Sequence, residues 1–173
     1  MKLAISMIGA LALLVSFGQN LAFADGSGDP TPVKEDHGEY FDKAGNPTFK
    51  IEKDGTVDWY TSVGYMQYGA NCMVCHGPDG LGSSYAPNLT NSLKTLSYAE
   101  VYGTVVAGKR TVNTSQDLVM PTFGDNKNVM CHLDAIFIYL RARSDDALGR
   151  GRPSKVAPKP AGYSEKEDKC FGD

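Results

Sequence analysis

Cys72-Met73-Val74-Cys75-His76 is the stretch on which the reading of this 173-residue chain turns. Two thiols three residues apart can add to the two vinyl groups of one porphyrin, and the histidine that follows is then carried beneath the iron as its proximal ligand. The spacing therefore predicts one covalent haem c on Cys72 and Cys75, with His76 on the metal. Gly77 and Gly80 follow at once and are expected to keep the chain slim beside a flat cofactor. A structural zinc site wants a second cysteine pair at similar spacing, whereas Cys131 and Cys170 stand far apart. A thioredoxin-like redox pair needs a βαβ context that the pattern does not offer.

Working outward, the chain opens with Lys2, an apolar run from Leu3 to Phe17, and Ala22-Phe23-Ala24. That order is a charged n-region, an h-region and an A-x-A cleavage site, so residues 1–24 read as a secretory signal peptide. The run is short for a bilayer span, and export to the periplasm without stable membrane insertion is expected. An oxidising compartment permits a disulfide. Removing 1–24 takes away only Lys2, leaving 16 basic and 20 acidic side chains and a formal charge of −4. Such a balance excludes a basic nucleic-acid footprint, and two haem propionates would add to it. An acidic carrier would meet partners through complementary basic groups, with a salt-dependent on-rate.

Residues 25–37 are polar, with Gly26, Gly28, Pro30 and Pro32, and read as a loose leader. Within 38–58, Phe49 and Ile51 alternate with polar neighbours, Asp54-Gly55 supplies a turn, and Val57 and Trp59 resume the alternation. A short β-hairpin is expected there, begun by the turn Ala44-Gly45-Asn46-Pro47. The domain that holds the haem motif then spans 59–148, with a tail over 149–173. Gly64, Tyr68 and Cys72 fall at i, i+4 and i+8, one face of a helix delivering the motif. Ser97 and Glu100 make a capping box for a helix that stops at Gly108, with Val101, Val105 and Ala107 as its apolar face. Leu133, Ile136, Phe137 and Leu140 mark a last helix over about 131–144. Asp134 near its start and Arg141 and Arg143 near its end suit the helix dipole. Past Gly149 the composition is that of a disordered tail, against which Cys170 argues.

Iron with a proximal histidine has one further axial position, and a thioether there suits electron transfer. Met73 lies between the haem cysteines and Met66 on the helix before them. Met120 is the chosen ligand because Val119-Met120-Pro121-Thr122-Phe123-Gly124 reads as a loop able to present it, 48 positions after Cys72. Met130, His37 and His132 remain alternatives. Asn128-Val129-Met130-Cys131-His132 imitates a haem motif lacking its first cysteine. A disulfide between Cys131 and Cys170, 39 positions apart, uses the four cysteines better and would fasten the tail to the final helix. Pro87, in Ala86-Pro87-Asn88-Leu89, is expected to offer its carbonyl to the Nδ1–H of His76.

These pieces together resemble a class I c-type cytochrome: Gly64, Tyr68, the motif at 72–76, Pro87-Asn88-Leu89, Met120-Pro121 and Ile138-Tyr139-Leu140. The resemblance implies a mainly α fold of three main helices around one haem, the first and last crossing near Gly64, Tyr68 and Tyr139. One haem edge would meet solvent and redox partners. Asp58-Trp59-Tyr60, Gly64-Tyr65-Met66-Gln67-Tyr68, Cys131 and the Cys170 tail further resemble the four-cysteine cytochromes c of bacterial methanol oxidation. That group implies a periplasmic, monomeric carrier in transient complexes. Its donor would be a pyrroloquinoline-quinone (PQQ) alcohol dehydrogenase, and its acceptor a downstream cytochrome or terminal oxidase. Two other classes compete: a haem sensor or haem enzyme with an open sixth site, and a carrier for an unrelated dehydrogenase.

Overall fold

Asp58 decides where extended chain becomes helix. Its Oδ1 accepts from Thr61 N–H at 2.8 Å while its Oδ2 accepts from Lys50 N–H at 2.8 Å, so one carboxylate caps a helix and ends a turn of hairpin. Helix α1 (Trp59–Asn71) starts there, and Trp59 is its first residue rather than the continuation of a strand. The protein is seen as a computed structural model that describes residues 26, 28–112 and 117–172. The signal peptide read over 1–24 lies outside the described residues.

The haem motif leaves α1 through a short helix, α2 (Met73–His76). Two further helices follow, α3 (Leu89–Ser92), capped by Asn88, and α4 (Tyr98–Ala107) with the expected Ser97/Glu100 capping box. Gly108 ends α4 at φ +70. Strands β4 and β5 come later in the chain than the N-terminal β1 (Lys34–Asp36), β2 (Glu39–Phe41) and β3 (Pro47–Thr48). They form a hairpin over Lys109–Val112 and Asp117–Met120 that the sequence pattern does not suggest. Helices α5 (Lys127–Met130) and α6 (Leu133–Ser144) complete the domain, and α7 (Tyr163–Phe171) closes the chain.

The core is the crossing of α1 with α6. Phe137, Ile138 and Tyr139 are wholly buried, and Tyr68 packs on Tyr139 with ring centroids 5.6 Å apart. Gly64 lets the helices touch: a Cβ there would lie 1.9 Å from the Ala135 carbonyl oxygen. Tyr68, Leu93, Ile136, Phe137 and Leu140 form one buried cluster, and Tyr60, Val63, Ile138 and Tyr163 a second.

Both ends of the described residues are more ordered than their composition suggests. The leader read over 25–37 contains β1, part of a three-stranded antiparallel sheet with β2 and β3. The expected hairpin at Asp54-Gly55 does reverse the chain, but its ladder is only the Ile51–Val57 bridge. The reason for the extra order is Arg141. Rather than serving the dipole at the end of α6, it is 2% exposed, pairs with Asp42 at 2.9 Å and donates to the Pro47 carbonyl at 3.0 Å. At the other end, Val156 pairs with Val57, Tyr163 enters the core, and Cys131–Cys170 is a disulfide with Cα atoms 5.7 Å apart. The tail from 149 is thus fastened along its length rather than only at Cys170. No helix among the described residues is long and apolar enough to cross a membrane.

Two expectations follow for stability. Gly64→Val should lower the unfolding free energy by about 3 kcal/mol or prevent folding, since neither backbone can recede; denaturant titration measures it. Glu39, fully buried against Lys166, has its carboxyl pushed from 4.5 up to about 7, chiefly by burial and with the nearby Asp134 carboxylate adding to it. The native state then holds a proton that the unfolded chain releases first. Its contribution is complete below about pH 4.5 and lost as pH rises through about 7, so stability should fall across that window. Glu39→Gln should flatten the slope in chemical denaturation at several pH values.

Candidate haem site

Cys72 stands at the end of α1 on the face that already carries Gly64 and Tyr68, its N–H donating to the Tyr68 carbonyl at 2.9 Å. One more turn brings Cys75 and His76 round, with His76 N–H on the Cys72 carbonyl at 2.9 Å. Both thiols are free, Cys72 half-buried and Cys75 exposed. Before haem is attached, burial, with Cys75 beside it, pushes the Cys72 thiol up to about 11.

The loop after the motif is held by a buried hydroxyl. Tyr68 donates to the Gly77 carbonyl and accepts from Gly80 N–H at 3.1 Å. Gly77 has φ +71, and a Cβ on it would lie 2.3 Å from the Gly82 oxygen. Gly82 N–H in turn donates to the His76 carbonyl at 2.7 Å. The glycines after the motif therefore serve a tight reversal of the backbone, more than clearance for a ring. His76 is 8% exposed and its Nδ1 lies 3.0 Å from the Pro87 oxygen. A carbonyl only accepts, so Nδ1 carries the proton and Nε2 is the nitrogen left with a lone pair that could take a metal.

The other candidate iron ligands stand in different surroundings, with Met120 and Met130 both half-buried. His132 is engaged at both nitrogens, by Asn128 O at 2.7 Å and Glu167 Oε1 at 2.9 Å. His37 is exposed and bound to Asp36, and Met66 lies exposed on α1. Met120 is half-buried as the last residue of β5, opposite Lys109, so it stands at a strand end rather than in a loop. Gly108 permits this: a Cβ there would lie 2.7 Å from the Met120 oxygen, so α4 and Met120 approach closely. Met130 is half-buried at the end of α5.

The chemistry of the surroundings fits a porphyrin. Helix α4 is apolar, yet the protein buries none of its residues; Val101, Val105 and Val106 stay partly open. Leu118 and Phe123 are likewise half-buried on the segments that follow it. Apolar walls, two free thiols and an oriented imidazole suit a flat apolar ring with iron at its centre. The roles of Tyr68 as clamp and of Asp79 were missed in the sequence. Asp79 accepts from Gly151 N–H at 2.9 Å and Arg150 Nε at 3.0 Å; burial opposes its ionisation, but these partners outweigh it and hold its carboxyl below the usual range. Its only sequence signal is the turn Gly77-Pro78-Asp79-Gly80, because the partners lie more than 70 residues away.

This combination defines a haem protein of the cytochrome c type, and comparison with known proteins agrees. Residues 61–140 match the family model described as cytochrome c oxidase, cbb3-type, subunit III. The c-type cytochrome XoxG of Methylobacterium extorquens AM1 superposes with a TM-score of 0.75 at 52% identity, over 82% of this chain and 86% of that one. Cytochrome c-553I of Paracoccus denitrificans is 46% identical over 143 residues, 83% of this chain; the match spans 63% of that relative's length. Cytochrome c-555 of Methylococcus capsulatus is 36% identical over 100 residues, 57% of this chain and 75% of the relative. The chain belongs to the class I c-type cytochromes. It carries a covalent haem c with its iron and is an electron-transfer protein rather than an enzyme.

Tyr68→Phe removes two hydrogen bonds from a buried loop and strands the Gly77 carbonyl and Gly80 N–H. A loss of about 2 kcal/mol in unfolding free energy is expected from denaturant melts.

Proposed function

We propose that this chain is a periplasmic shuttle carrying single electrons from a PQQ-dependent methanol or alcohol dehydrogenase toward a downstream cytochrome or terminal oxidase. The observation that carries the shuttle reading is the oriented His76, whose Nδ1–H is bound to Pro87 so that Nε2 faces away as ligand. Cys72 and Cys75 would hold the porphyrin covalently, and His76 and Met120 would hold its iron. When bound, the haem iron supplies reversible one-electron chemistry.

The chain's own part is to keep the geometry constant. Pro87 fixes the imidazole plane, Tyr68 and Gly82 fix the loop that carries it, and the β4–β5 hairpin brings Met120 against α4 through Gly108. With His76 held through Pro87, the imidazole need not rearrange on transfer. The apolar residues of α4 disfavour the extra charge of the ferric form and so raise the potential. Docking is small and transient, in keeping with redox interfaces generally.

Support for the methanol assignment comes from the four features that set the four-cysteine group apart, including the Cys131–Cys170 pair. Met130 is the competing ligand, and the two are separable. Met120→Ala should abolish the far-red thioether-to-iron band of the ferric holoprotein and lower the potential, whereas Met130→Ala should leave the band in place. Retention of the band in Met120→Ala would transfer the role to Met130. Stopped-flow mixing with a PQQ methanol dehydrogenase should give salt-dependent reduction; a negligible rate at every ionic strength rejects that donor.

A further inference from the structure

The tail between α6 and α7 is basic in a chain whose formal net charge is −3. Residues 147–160 hold Arg150, Arg152, Lys155 and Lys159 and no acid. This strap is not loose. Arg150 and Gly151 are fastened to Asp79, three residues past His76, and Lys155 to Asp54 at 3.2 Å. The ion pair with Asp79 leaves Arg150 68% exposed, and Arg152 beside it is exposed as well.

Between the strap and α1 lies a recess of about 240 Å³, with Tyr65, Met66, Gly69, Met73, Pro78 and Gly151 around it. Met66 is 46% and Met73 43% exposed, so two long flexible apolar side chains face water. Gly69 leaves room, since a Cβ there would meet nothing within 4 Å. Methionines of this kind adapt to varied apolar surfaces. Met73, which lines the recess, directly follows Cys72 in the chain. A separate exposed edge lies at Val74 (84%) and Tyr85 (72%), beside Cys75.

We propose that this recess is a docking surface for a redox protein that presents carboxylates around an apolar side chain. The apolar side chain lies among Met66, Gly69 and Met73, and the carboxylates meet Arg150 and Arg152. With haem bound, a single electron would be exchanged with the partner's redox centre near Cys72, with no bond made or broken. The acidic character of the rest of the chain repels such a partner elsewhere, so the fixed cations select the orientation. The proposal rests on the electron-carrier reading and adds a second face to it, distinct from the Val74–Tyr85 edge. Donor and acceptor can then dock on different sides.

The test uses ferrous holoprotein and hexacyanoferrate(III), a small anionic oxidant, in stopped flow. Arg152→Glu and Met66→Glu should each slow oxidation by about threefold at low ionic strength, with the difference vanishing in high salt. Lys94→Glu, the same charge change beside Gly28 and Asp145, should have less effect. In parallel, a short glutamate-rich peptide with a central leucine should shift the amide NMR signals of residues 66–73 and 150–152, and its alanine counterpart should do so more weakly. Equal slowing in all three variants, or shifts confined to the Val74–Tyr85 edge, overturns the docking surface. Holoprotein that hexacyanoferrate(III) does not oxidise at all sinks the carrier reading instead.

Discussion

Backbone contact between α1 and α6 at Gly64 is the constraint from which the rest of the molecule takes its position. Only the missing side chain allows the Ala135 carbonyl to come within reach of α1, and the ring of Tyr139 then settles against Tyr65 and Tyr68. Because α1 ends in the haem motif, its placement on α6 also sets where Cys72 begins the next turn. Tyr68 links the two tasks. Its ring is core and its hydroxyl holds the loop behind His76, so packing and site geometry share one side chain.

From that anchor, the imidazole is fixed by backbone rather than by other side chains. Pro87 takes the ring N–H, Gly82 takes the His76 carbonyl, and positive φ at Gly77 lets both meet. A ligand oriented this way has its tautomer set before metal arrives. The opposite wall is built differently. Helix α4 and the β4–β5 hairpin offer apolar surface and the half-buried Met120, with little burial of their own.

The two ends of the described residues are additions stitched onto this core by charge and by sulfur. Arg141 reaches from α6 to the N-terminal sheet, where it forms a buried pair with Asp42. At the C-terminus the disulfide holds α7 while His132 and Glu167 meet beneath it, and Asp79 holds the strap beside the motif. A decoy histidine thus becomes structural: His132 resembles a haem ligand in sequence, yet both its nitrogens are engaged by protein.

Local chemistry alone determined the attachment motif, the capping box at Ser97, the glycine that ends α4, the cysteine pairing and the proline acceptor. Each depends on residues whose function follows from their own spacing or from their scarcity in the chain. The pairing of β1 into the sheet over 34–48, the β4–β5 hairpin, the ordered strap and the tasks of Tyr68, Asp79 and Arg141 emerged only with the tertiary structure. Strands of two to four residues carry too little periodicity to be read. Arg141 and Asp42, like Asp79 and Arg150, are brought together from distant positions by the folded chain. A charged residue in sequence states that it needs a partner, but only the packing of helices and turns around it decides which one it meets.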